Sequence, residues 1–349
     1  MEKKKMFDFV IGNPPYQGEN KKNGRQPPVY NIFMDAAYSV GDAVELITPA
    51  RFLFDAGQTP KEWNQKMLND KHLKVLHFEP DDSRIFPNTD IDLKGGVAIT
   101  YRCGNKEYGA IGVFTTFPEL ATILEKTEKA NALKKALSSI IQAQGLYRFS
   151  NAFMNEYSEL SEKTGKGTGA KITSKVIELL PDVFLEKNPE PGQFIKLLSR
   201  SSNGGRIYRY IRKEYIQEND FLMTYNVFVP ESNGSGAIGE VLSTPLIGEP
   251  LIGHSDTFLS IGSFKTKKEA ENCMKYIKTK YARVMLGILK ATQHNPAATW
   301  KYVPLQDFTE NSDIDWSKSI HEIDLQLYKK YGLDQHEIDF IETHVKEMV

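Results

Sequence analysis

FDFVIGNPPYQ, residues 7–17, decides how the chain is read. FDFVIG (7–12) is a short apolar run ending in glycine, the pattern of a buried strand. Asn13-Pro14-Pro15-Tyr16 follows at once. Two consecutive prolines lock φ and remove two N–H donors, so the loop is stiff and its carbonyls are free to accept from outside the chain. Open α/β sheets bind ligands at the carboxyl ends of their strands, which is where this loop falls. The Asn13 amide oxygen and the Pro14 carbonyl can together receive both hydrogens of one planar NH2 group, and Tyr16 offers a ring face to an aromatic base. The exocyclic amine of adenine is a poor nucleophile because its lone pair is delocalised into the ring. Two fixed acceptors favour a more tetrahedral nitrogen, able to attack an electrophilic methyl. Releasing a base from a duplex into such a pocket costs on the order of a few kcal/mol, partly recovered by stacking. The plainer reading is a turn whose prolines merely end a strand.

Outward from this loop, the first 115 residues alternate strands and helices. YNIFMDAAYSV (30–40) has helical spacing, and AVELIT (43–48), LKVLHFE (73–79) and GVAITYR (96–102) read as strands. Thr59-Pro60 opens a helix, with proline where a missing N–H costs little. GAIGVF (109–114) is a further candidate strand. Helices crossing between apolar strands predict a parallel α/β sheet with an antiparallel last pair. Residues 117–145 read as helical. GRIYRYI, FLMTYNVFV and FLSIGSF predict an irregular β-rich region. Residues 267–291 read as one long amphipathic helix, and Asp334 with Glu337 three residues on makes a capping box.

The chain has 349 residues, with 44 Lys+Arg against 45 Asp+Glu, and two cysteines. Cys103 and Cys273 are far apart with no metal-ligand spacing, so neither a disulfide framework nor a metal site is expected. No apolar run approaches the roughly 20 residues that span a bilayer. The apolar stretch near the N-terminus carries Asp8 and is too short for a signal peptide, so a cytoplasmic protein with no membrane partner is expected. The net charge of −1 excludes a uniformly basic nucleic-acid coat but hides an asymmetry. Pro191–Lys213 has six basic residues and no acidic one, whereas Asp307–Val349 has eleven acidic residues against four lysines. That pattern permits a local polyanion site.

FDFVIGNPPYQ resembles the catalytic motif of the adenine-N6 DNA methyltransferases of restriction–modification systems. PVYNIFMDAAYSV, ELITPARFLFDAG and LKVLHFEPDDSRIFPNTDIDLKGGVAITY agree with that family in order. The closing segment HNPAATWKYVPLQDFTENSDIDWSKSIHEIDLQLYKKYGLD resembles the C-terminus of its large members. The resemblance implies that Asn13, Pro14, Pro15 and Tyr16 are catalytic. It also implies that Phe86 packs on the flipped adenine opposite Tyr16; the other reading of Phe86 is a core residue capping the sheet. It implies S-adenosylmethionine as cofactor and double-stranded DNA as partner. On this basis residues 1–116 are the catalytic-motif half of a partial Rossmann-like methyltransferase sheet and 117–150 a helical connector. Residues 151–306 are a mixed α+β target-recognition region, and 307–349 an acidic helical segment.

One landmark of that family is missing. Its cofactor half carries a strand ending in an acidic-Gly-x-Gly turn, and only twelve residues precede Asn13. Gly165-x-Gly167-x-Gly169 follows a polar stretch instead of an apolar strand and reads as a flexible loop. The chain is therefore expected to be the C-terminal half of a split or truncated methylase, with a second polypeptide supplying most of the cofactor site. Contacts to DNA are expected from Lys21, Lys22 and Arg25 after the motif, and from Arg200, Arg206, Arg209, Arg212 and Lys213 around a Gly-Gly turn. Phosphate contact is the commoner role for any one arginine; solvated charges are the alternative. His254 and His294 lie in loop-like sequence without partner spacing and read as surface or polar-core residues. A non-catalytic DNA-recognition subunit is the main competing function. Nuclease chemistry is disfavoured because Glu2-x-Lys4 and Glu19-x-Lys21 lack a suitable context. Methylation of a glutamine amide is disfavoured by the long extension with its basic window.

Overall fold

The structure, a computed structural model, describes residues 5–18, 26–87, 93–130, 135–142, 144–159 and 170–348. It is a mixed α/β fold with several sheets, and the chain divides into two compact units. The first comprises Met1–Thr122 with Ile288–Thr292, the second Ile123–Gly287 with Gln293–Val349.

The first unit is built on strands β1 (Phe7–Gly12), β2 (Gly41–Pro49), β3 (Leu73–Glu79) and β4 (Val97–Cys103), in the order β1-β2-β4-β3. β1 and β2 are parallel, joined by helix α1 (Tyr30–Val40), while β4 runs antiparallel to both β2 and β3. The expected antiparallel strand is present, but it inserts between β2 and β3. Only one adjacent pair is therefore parallel. α1 buries Tyr30, Met34 and Tyr38, four residues apart on one stripe. α2 (Lys61–Leu68), which starts directly after Pro60, buries Trp63 and Met67 in the same core with Val44, Leu46, Leu73 and Ala98. Gly41 carries the chain from α1 into β2 without a loop. A Cβ there would come within 2.7 Å of Val10 Cγ2, so the close approach demands glycine. GAIGVF is not a strand: Gly109 and Gly112 take positive φ, which breaks extended backbone.

In the second unit, β6 (Phe194–Arg200), β7 (Arg206–Arg212) and β10 (Ile252–His254) form one sheet. β5 (Ile141–Gln142), β8 (Tyr225–Pro230), β9 (Leu246–Gly248) and β11 (Phe258–Phe264) form another. The helix expected over 117–145 ends early: α3 spans Pro118–Lys129, and Ile141–Gln142 pairs with β11. Short helices α4 (Asn151–Glu156) and α5 (Ser174–Leu179) start at Ser150 and Thr173, whose hydroxyls cap them. The long helix expected over 267–291 is two, α6 (Lys267–Lys278) and α7 (Lys280–Gly287). Thr279 between them is extended at ψ 150°, its hydroxyl accepts from Ala282 N, and the Asp324 carboxylate accepts from Lys280 N and Tyr281 N. Each of these caps N–H groups that a new helix start leaves unpaired. The acidic end folds as α8 (Ile320–Tyr331) and α9 (Gln335–His344), and the Asp334–Glu337 capping box forms as expected.

Candidate base-binding site

The site residues of the first unit meet where β1 ends. Asn13 is exposed immediately beyond the strand, Pro14 is half-buried, and Pro15 is exposed. Tyr16 is half-buried and packs against the core beneath. Its position is set by a short backbone ladder: Val29 N donates to Tyr16 O at 3.1 Å, and Gly18 N donates to Pro27 O at 2.9 Å. The diproline corner is therefore held at one end by β1 and at the other by the entry to α1. Burial pushes the Tyr16 phenol up to about 12, against a lowering by the neighbouring Asn13 side chain. Its oxygen is buried without a well-formed hydrogen bond among the described residues. At neutral pH Tyr16 thus offers a neutral ring and no base.

Phe86 stands beside it, with ring centroids 6.3 Å apart and planes tilted by 58°. It is half-buried and follows a turn at Asp82–Arg84. Asp81 caps that turn, accepting from Ser83 N at 3.2 Å and Ser83 Oγ at 2.6 Å, and Phe86 N closes it on Asp82 O at 2.8 Å. The two rings touch at a tilt, so they form adjacent walls and not a parallel slot.

Sequence reasoning missed Arg51. It lies on the turn Ala50–Phe54 that follows β2, donates Nε to Lys94 O, and packs its stem where a Cβ on Gly95 would come within 2.8 Å. Ala50 N bonds Gly96 O at 3.0 Å. Gly96 has φ +78°, and a Cβ there would meet Glu79 O at 2.5 Å. Arg51 and the two glycines thereby fix the backbone that returns from Phe86 into β4. Gly95-Gly96 directly before a strand was the available signal.

Lys21, Lys22 and Arg25 lie outside the described residues, as does Gly165-x-Gly167-x-Gly169. The remaining basic candidates belong to the second unit, on the hairpin β6–β7 and just after it. The register places Arg200 directly opposite Arg206, Lys196 opposite Tyr210 and Phe194 opposite Arg212, so these share one face. Arg209 lies opposite Leu197, on the other face, and pairs with Glu186 at 3.2 Å. Arg206 donates to Thr244 O, Arg212 pairs with Glu214 at 3.3 Å, and Lys213 is exposed in the turn after β7. Among the described residues no group of three His, Cys, Asp or Glu side chains is placed to hold a metal ion, and no helix is long and apolar enough to cross a membrane.

Residues 1–86 match the family model of the Eco57I restriction-modification methylases. Over 95 residues the chain is 30% identical to an uncharacterized adenine-specific methylase of Mycoplasma pneumoniae. Over roughly its first quarter, the chain is similar to restriction-modification methylases. The similarity covers 26% of the chain and 22% of that relative, so the chain spans about a fifth of the curated relative's length. Two solved structures are distantly similar. The Type IIL restriction-modification enzyme MmeI in complex with DNA aligns over 96% of this chain and 56% of its own, with 9% identity and a TM-score of 0.39. The ATP-dependent Type ISP enzyme LlaBIII bound to DNA aligns over 97% and 29%, with 10% identity and a TM-score of 0.33.

Proposed function

We propose that this chain binds and activates adenine in DNA for N6 methylation in a restriction–modification system, as one part of a split or truncated enzyme. The observation that carries this reading is an exposed Asn13 at the carboxyl end of β1, on a diproline corner flanked by the Tyr16 and Phe86 rings. Asn13 Oδ1 and the Pro14 carbonyl accept the two amine hydrogens, and the base stacks between Tyr16 and Phe86. No side-chain base is needed, because the nitrogen loses its proton after transfer. The hairpin of the second unit supports the DNA backbone, and a cytoplasmic location follows from that role.

S-adenosylmethionine is the methyl donor that the family implies, and the described residues do not fit it. None of their strands ends in an acidic-Gly-x-Gly turn, and β1 has no strand beyond it to form the second wall of a crevice. The four-strand sheet is read as the base-binding part of a Rossmann-like methyltransferase sheet whose donor part is elsewhere. That no acidic-Gly-x-Gly turn occurs among the described residues also favours, as a second reading, a DNA-recognition subunit without catalysis.

One substitution separates the two. Asn13→Ala removes an exposed side chain, so folding and duplex binding should be unchanged. N6 methyl transfer to duplex DNA, by the chain supplemented with the product of the upstream open reading frame, should fall by about 10²–10³, as when one preorganised polar contact is lost. Transfer unaffected by the substitution, or no transfer from the wild-type pair, removes the catalytic reading.

A further inference from the structure

One face of the β6–β7 hairpin is a strip of hydrogen-bond donors. The two strands read FIKLLSR and RIYRYIR and contain no Asp, Glu, Asn or Gln. Their register puts Lys196 and Arg200 of β6 on one face with Arg206, Tyr208, Tyr210 and Arg212 of β7. At the middle of that face Leu198 is buried against Phe228 and Phe258, while Tyr208 directly opposite it is 39% exposed. Lys196 lies diagonally across from Tyr208, and its ammonium sits 4.2 Å from the centre of that ring. No carboxylate meets it. Among the described residues the Lys196 side chain makes no hydrogen bond or ion pair, and its nitrogen is not sealed from solvent. A cation resting on a ring face is held in one place without being neutralised.

The bases of a duplex differ in what they show in the major groove. Guanine presents two adjacent acceptors, O6 and N7, which Lys or Arg fits. Cytosine presents a donor, which needs a carboxylate, and adenine a donor beside an acceptor, which an Asn or Gln amide matches. A strip with lysine and arginine but neither carboxylate nor amide therefore suits guanine. We infer that Lys196, steadied by Tyr208, reads a guanine edge within the DNA sequence that the second unit recognises. Arg200 and Arg206, opposed at the turn end, hold a neighbouring phosphate. This inference rests on the DNA-methylase reading and names the base that reading leaves open. A phosphate accepts from a mobile lysine as well as from a fixed one, whereas an edge contact needs the ammonium at one point. The Tyr208 ring supplies that constraint before DNA arrives, which lowers the ordering cost of the contact.

The test selects duplexes from a random-sequence library with the full chain, then repeats the selection with Lys196→Met, which keeps an unbranched side chain but removes the charge. Wild type should enrich a sequence with a fixed guanine. Lys196→Met should lose the preference at that one position and keep the others. Replacing that guanine by 7-deazaguanine, which lacks the N7 acceptor, should weaken wild-type binding about tenfold and Lys196→Met binding not at all. Tyr208→Leu should cost part of the same preference, and Lys196→Gln should shift it towards adenine. Wild type indifferent to 7-deazaguanine overturns the inference whatever the variants do. So does an enriched sequence without guanine, salt-dependent binding with no enriched sequence, or an equal penalty in wild type and Lys196→Met. Each of these leaves the DNA reading standing. No binding to any duplex overturns both.

Discussion

His254 and Asp324 are buried ionisable residues of the second unit that titrate in opposite senses. His254 Nδ1 sits 2.7 Å from Ser255 O, a carbonyl that can only accept, so Nδ1 carries the proton and Nε2 accepts from Ser260 Oγ at 2.8 Å. Burial among the rings of Tyr147 and Phe228 lowers the imidazole to about 4. The unfolded imidazole takes a proton near 6.5, so this stability is present above that pH and is lost as pH falls toward 4. Burial instead raises Asp324 to about 6. Its contribution is complete below the unfolded carboxylate range and declines as pH rises through 6. From pH 7 to pH 4, the unfolding free energy of wild type should fall by about 3 kcal/mol relative to His254→Gln. Relative to Asp324→Asn it should rise by about 2 kcal/mol. Urea titrations across that range check both signs. The placement of His254 in the polar core was open to sequence reading. The raised carboxyl of Asp324 was not, because it depends on a helix start 43 residues away in the chain.

At the scale of elements, the β6–β7 hairpin turns a run of basic residues into a face. Arg200 and Arg206 stand directly opposite each other, an arrangement that costs stability unless an anion lies between them. Arg200 Nε is buried with no hydrogen-bond partner among the described residues. If this face tracks a DNA backbone, Arg200→Ala and Arg206→Ala should each lower the slope of log affinity against log salt by about 0.9. Arg209→Ala, on the opposite face, should change it least. Equal slopes for all three would return these arginines to solvated charges. The sequence marked the Gly-Gly turn and the basic window, and Gly204 does take φ +82° in that turn. It treated Arg206 and Arg209 alike, because the side on which a strand residue falls depends on pairing register.

For the molecule as a whole, the acidic end is a structural part of the second unit. Its carboxylates meet lysines: Glu337 and Asp334 bond Lys126 at 2.6 and 2.9 Å, Glu342 pairs with Lys280, and Asp313 with Lys330. Arg283, buried in α7, donates to Gly239 O and Lys278 O at 3.1 Å each and also to Lys346 O. Arg283→Ala would remove the side-chain donor from three backbone carbonyls, at a cost of about 1–3 kcal/mol. Chemical denaturation should show that loss, with faster hydrogen exchange at Lys346 N, which bonds Gly239 O. Four of the eleven acidic residues at this end are thus held in ion pairs within the unit.

Sequence alone determined the diproline corner, the helix and strand that bracket it, and the capped start of α9, because φ restriction, hydrophobic period and capping act over a few residues. Tertiary structure decided the insertion of β4 between β2 and β3, the break at Thr279, the brace of Arg51 on the strand entry, and the sorting of arginines to two faces. Each of these depends on which distant segments pair, and no local window of the chain carries that information.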